Sequence, residues 1–167
     1  MQKSKLMLVV VIALMFLVSM VIADDKPWFD MENCSFCQHL IKDPDLMNNM
    51  SWKHYDIDDG IMTVTMVKPE SQEAYQTAMM KMEEVGKSWE DGNTDIKMCG
   101  QCEYYGMLMT SGAKFQYVDT DAGDIMLITS SDPEVVKKIK HYAAKNREEL
   151  AKWDEVEMKH DHSAEKH

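Results

Sequence analysis

The residues with the most chemical potential are four cysteines, and all four fall in two CxxC motifs, Cys34-Ser-Phe-Cys37 and Cys99-Gly-Gln-Cys102. Two thiolates at that spacing grip one soft ion from a single tight turn, so two such pairs supply the ligand set of a tetrathiolate zinc site. The interval from Cys37 to Cys99 is far longer than in a zinc ribbon, and convergence depends on how the chain folds between them.

Three other chemistries use the same residues. A CxxC at a helix start has its first thiolate stabilised by the helix dipole, the arrangement of thiol-disulfide oxidoreductases. Cys99-Gly-Gln-Cys102 suits that role, but the segment Pro27 to Asn33 before Cys34 does not read as a buried strand, and the βαβ setting is missing. Structural disulfides are the default for an exported chain with an even cysteine count. A bridge within one CxxC closes a very small ring and constrains little of the unfolded chain, so bridges between the motifs would stabilise more. Copper(I) is the third, with methionine sulfur as a supplement to thiolate. Met98 adjoins Cys99, while Met47, Met50, Met79, Met80 and Met82 lie further off.

Histidine and carboxylate add little. His39 follows Cys37 by two residues, but the matching position in the second motif is Tyr104, which makes His39 a surface residue. His160, His162 and His167 sit in a polar tail, 158–167, read as disordered. Asp119, Asp121 and Asp124 miss the EF-hand spacing because Gly123 stands where an oxygen ligand is needed. Glu83 and Glu84 are neighbours on a helix and do not face each other. No nucleophile elbow, phosphate loop, dinucleotide fingerprint or zinc-protease helix is present, so the chain reads as a binder rather than an enzyme.

The elements that must position the cysteines come in two similar sets. The CxxC motifs recur at an offset of 65, Asp59-Gly60 and Ala122-Gly123 at 63, and Pro69-Glu70 and Pro133-Glu134 at 64. Three landmarks in one order at nearly one spacing predict two copies of one unit, about 32–90 and 97–157. Each unit predicts a short helix (Cys34 to Ile41, then Cys99 to Thr110) and a hairpin. The hairpins are Trp52 to Asp58 with Ile61 to Val67, and Lys114 to Thr120 with Asp124 to Ser130. Asp59-Gly60 is a favoured hairpin turn.

A longer helix closes each unit. Tyr75, Met79, Met82 and Val85 make the apolar face of the first, after Pro69. Ser131 or Asp132 caps the second, whose stripe is Val135, Ile139, Tyr142, Leu150 and Trp153. The fold class is therefore α+β: two tandem αββα repeats whose hairpins join in one antiparallel sheet, packed by helices.

The first 23 residues follow a different grammar. Lys3 and Lys5 precede an apolar run from Leu6 to Ala23, and Asp24 and Asp25 follow, as in a signal peptide cleaved after Ala23. The run also reaches the lower length limit of a spanning helix, so an uncleaved anchor is the alternative. Removing residues 1–23 takes away Lys3 and Lys5 and leaves 16 basic against 29 acidic residues, a net charge of −13. Such a surface repels nucleic acid and anionic lipid. Methionine is abundant, 17 in all with 13 beyond residue 23, and most of it fits irregular core gaps. The sequence thus predicts an exported protein, periplasmic or secreted, with one domain over 24–157. Its partner is a metal ion, zinc or alternatively copper, held by Cys34, Cys37, Cys99 and Cys102.

Overall fold

A computed structural model describes residues 26–164. The described residues form one four-stranded antiparallel sheet and three α-helices. The strands are β1 (Met50–Ile57), β2 (Gly60–Val67), β3 (Lys114–Thr120) and β4 (Gly123–Thr129), in spatial order β1-β2-β4-β3. The helices are α1 (Gln72–Glu90), α2 (Gly100–Thr110) and α3 (Pro133–Ala164). Two hairpins thus meet along β2 and β4, with Thr63 opposite Met126 at the middle of the seam.

The hairpin turns differ from the expected form. Asp58 and Asp59 are the turn residues and Gly60 already belongs to β2. Among the described residues only glycines have positive φ, so this turn is not the mirror-image type that an Asp-Gly pair would serve. Gly60 is needed for a different reason: a Cβ there would lie 1.9 Å from Ile128 O on the neighbouring strand. Gly123 is in the same position at the other end of the seam. Its Cβ would lie 2.2 Å from Thr65 O, and its φ is +140°.

Pleating divides the sheet into two faces. His54, Ile61, Thr63, Thr65, Val67, Met126 and Ile128 point to one face and are buried there. Helix α3 supplies the cover through Val135, Ile139, Tyr142 and Ala143, with Leu108 of α2 in the same cluster. Burying side chains such as Ile128 and Ile139 completely stabilises the fold by about 2 kcal/mol each. Asp132 caps α3, accepting the Glu134 N–H at 2.9 Å; Ser131 does not cap it. A second cluster gathers Leu40, Leu46, Val67, Tyr75 and Ala78 under α1. The face of α1 that packs is Tyr75, Ala78 and Met82, not the expected Met79, which is 39% exposed.

Two expectations need correction. Cys34 to Ile41 does not form an α-helix: only Cys37–His39 makes a single 3-10 turn, so the helix-hairpin-helix order is complete in the second half alone. The segment is too short to propagate a helix, and the Asp43-Pro44 pair bars its extension. The expected disordered tail is also revised, because α3 continues through Ala164. Residues 1–25 and 165–167, which include the apolar run and His167, lie outside the described residues. No described helix is long and apolar enough to cross a membrane.

Candidate metal centre

The site starts from a strap at the beginning of the described chain. Asp30 accepts the Asn33 N–H at 2.9 Å and the Cys34 N–H meets Asp30 O at 3.1 Å, which turns the backbone sharply into the first motif. The following 3-10 turn, with Leu40 N–H bonded to Cys37 O at 3.0 Å, sets Cys34 and Cys37 on its inner side. The second motif begins α2, whose N-cap is Cys99. The Gly100 N–H and Gln101 N–H bond to Pro27 O at 3.0 Å and Trp28 O at 2.9 Å, so the strap occupies the free donors of the helix start.

A second clamp joins the motifs directly. Ser35 N–H donates to Lys97 O at 2.8 Å, and Lys97 N–H donates to Ser35 Oγ at 3.1 Å. Trp28 anchors the strap to α3 through Nε1–H to Asn146 Oδ1 at 2.7 Å. Gly100 leaves room for this approach, since a Cβ there would already sit 3.3 Å from the Trp28 ring.

These tethers bring all four cysteines together. Their Sγ atoms lie within 4.8 Å of one another, with Cys34, Cys37 and Cys99 buried and Cys102 half-buried. Three separations are shorter: Cys34 to Cys102 at 3.6 Å, Cys37 to Cys102 at 3.6 Å and Cys37 to Cys99 at 3.7 Å. All four thiols are free. A tetrahedron of sulfurs about 2.3 Å from a central zinc has edges of about 3.8 Å, so the cluster has the size and donor chemistry of a tetrathiolate centre. Among the described residues no histidine or carboxylate belongs to the group, and His39 is not a member.

The three separations of 3.6 to 3.7 Å all run between motifs. A thioredoxin-type centre needs its closest pair inside one CxxC, and that is not the arrangement found. Protonation is unequal across the cluster. The Cys34 thiol is pulled down by hydrogen bonds from Cys102 first, then Cys37 and Cys99. Cys99 is lowered to about 7, with the Cys102 bond again the largest cause. Each also accepts the backbone N–H of the second cysteine of its own motif. Cys102 is pushed up by its bonds to Cys34, Cys37 and Cys99 and by burial. For Cys37 the Cys102 bond acts downward, but those to Cys34 and Cys99 and burial outweigh it and raise the thiol.

The surroundings include residues that spacing alone did not single out. Met31 and Phe36 pack against the cluster, so the nearest packed methionine is Met31 rather than the expected Met98. The buried Gln101 accepts the Cys102 thiol at Oε1, 3.3 Å away, and donates Nε2–H to the Tyr142 hydroxyl. The two ends of a carboxamide have the same shape. With Cys102 as thiolate, the side chain turned over donates to Sγ and accepts from Tyr142. The one sequence signal for this shell was proximity: Trp28, Met31, Phe36 and Gln101 lie within or just before the motifs.

Comparison with protein-family models, curated proteins and solved structures found no match. The functional reading therefore rests on the geometry of the site.

Proposed function

We propose that this chain is an exported metal-binding protein in which Cys34, Cys37, Cys99 and Cys102 together hold one zinc ion. The observation that carries the reading is the set of sulfur separations of 3.6 to 3.7 Å between motifs, close to the edge of a zinc tetrathiolate. Four thiolates close the coordination shell and leave no position for a substrate, so the role is structural, or one of metal storage or transfer. The half-burial of Cys102 gives the ion one route to solvent. Copper(I) is the alternative cargo, with the Met31 thioether beside the cluster as the feature in its favour.

A thiol-disulfide oxidoreductase is the second reading. Its supporting observation is Cys99 at the start of α2 with its thiol lowered to about 7. The sulfur pairs then best placed to bridge are Cys34 with Cys102 and Cys37 with Cys99. Elemental analysis of protein prepared without reductant, combined with thiol counting after denaturation, separates the readings. One equivalent of zinc with four free thiols supports the tetrathiolate, and copper in its place supports the alternative cargo. Neither metal nor free thiols would replace the metal reading with disulfides.

Export and duplication belong to the same proposal. Lys3, Lys5 and the apolar run to Ala23 argue for a cleaved signal and a mature chain that begins at Asp24. Intact-mass measurement of the exported protein tests this, since a mass retaining residues 1–23 means an anchor. A duplicated domain over 24–157 is supported by the seam. Gly60 meets Ile128 O and Gly123 meets Thr65 O, and one offset of 63 relates both the glycines and the carbonyls they press upon.

A further inference from the structure

Among the described residues, helices cover one face of the sheet, and the other face is apolar at the centre. Met62 of β2 pairs with Leu127 of β4, and Val64 with Ile125. Tyr55 and Ile57 on β1 and Val118 on β3 extend the stripe outward. All are half-buried or exposed, with Tyr55 46%, Met66 57% and Val118 51% exposed. Alternation should place polar residues on the open face of a two-layer fold, so an apolar centre here is a departure that calls for a covering layer.

Charge on this face also departs from the rest of the chain. The positions that point this way are Ser51, Lys53, Tyr55 and Ile57, then Gly60, Met62, Val64 and Met66. Across the seam they continue as Gly123, Ile125, Leu127 and Thr129, and then Lys114, Gln116, Val118 and Thr120. None is acidic, in a chain with 29 acidic residues. The two charges, Lys53 and Lys114, stand on the outer strands β1 and β3, where long side chains reach solvent past an apolar contact.

We propose that this face is the contact surface of a homodimer, formed when two copies stack sheet on sheet. A twofold contact must be self-complementary. A copy turned about an axis along the strands lays β2 of one chain over β4 of the other, apolar stripe on apolar stripe. No carboxylate is brought against another, which removes the repulsion that two strongly acidic chains would otherwise meet. Four strands about 4.8 Å apart and seven residues long give a face of roughly 450 Å² in projection. Two copies therefore bury roughly 900 Å² in projection, the size of a weak, reversible interface.

Sedimentation velocity on the full chain at roughly 100 µM tests this. A dimer is expected, and Val118→Lys, a change at an exposed edge position, should weaken it at least about tenfold while the circular dichroism stays unchanged. Val64→Glu combined with Ile125→Glu should abolish it, because paired sheets would bury four carboxylates. If that double variant does not fold, Val118→Lys decides alone. A monomeric wild-type chain at this concentration overturns the proposal. So does a dimer that Val118→Lys leaves untouched, which would assign association to another surface such as the apolar run from Leu6 to Ala23.

Discussion

Cys37 Sγ lies 3.6 Å from Cys102 Sγ, although 65 residues of chain separate them. Flanking residues hold the contact by bonding to groups within each motif: Lys97 to Ser35 of the first, and the Pro27 and Trp28 carbonyls to Gly100 and Gln101 of the second. The cysteine cluster therefore depends on both motifs.

Cys34→Ser and Cys99→Ser should each lose the bound metal entirely. Structural zinc contributes on the order of 10 kcal/mol of binding free energy to the folded state. Each variant should thus unfold at markedly lower denaturant than wild type, and by similar amounts. Elemental analysis with urea titration checks both halves, and a variant that keeps a full equivalent of metal would sink the shared shell.

Gln101→Leu should weaken metal binding without removing a ligand. The Gln101 side chain connects the Cys102 sulfur to the Tyr142 hydroxyl inside the core, and loss of such an outer partner typically costs about 10- to 100-fold in affinity. Chelator competition measures it. An unchanged affinity would mean that the amide serves Tyr142 alone.

Gly60→Ala and Gly123→Ala should each disrupt the β2–β4 seam. The added Cβ would fall 1.9 Å from Ile128 O in one case and 2.2 Å from Thr65 O in the other, and neither obstacle is a side chain that can swing away. A loss of at least about 3 kcal/mol is expected, in the range reserved for core or backbone damage. Gly112, with φ of +88° and open space around its Cβ position, is the control: its alanine variant should be destabilised by only about 1 kcal/mol.

Stability should fall in mild acid because of His54. This residue is buried with Nδ1 bonded to Thr63 Oγ1 at 2.9 Å, and burial first, then the Arg147 charge, lowers it from 6.5 to about 4. The folded state keeps His54 neutral in a range where the unfolded chain binds a proton. Its contribution is thus complete above about pH 6.5 and is lost as pH falls toward 4, by about 3 kcal/mol in all. Urea titrations of wild type and His54→Gln across this window should differ in slope, and parallel curves would discount the residue.

The cysteines show what was legible and what was not. Their number and CxxC spacing pointed to soft-metal chemistry because ligand type and tight-turn geometry are local properties. Helix α2, both hairpins and the start of α3 were likewise readable from turn residues, a cap and apolar period. The missing α-helix after Cys37 was not, because tertiary bonds such as Ser35 to Lys97 hold that short segment in a turn and override its pattern. Gly60 was expected in a turn on propensity, yet its requirement comes from a carbonyl on another strand.

The sequence by itself determined the chemical type of the site, the α+β class and the alternating strands. Only the tertiary structure decided that the two motifs converge and that the described helices share one face of the sheet. The physical reason is range. Propensity, capping and ligand spacing act within a few residues, whereas convergence depends on where Pro27, Trp28 and Lys97 bring the chain back, and no local rule sets that return.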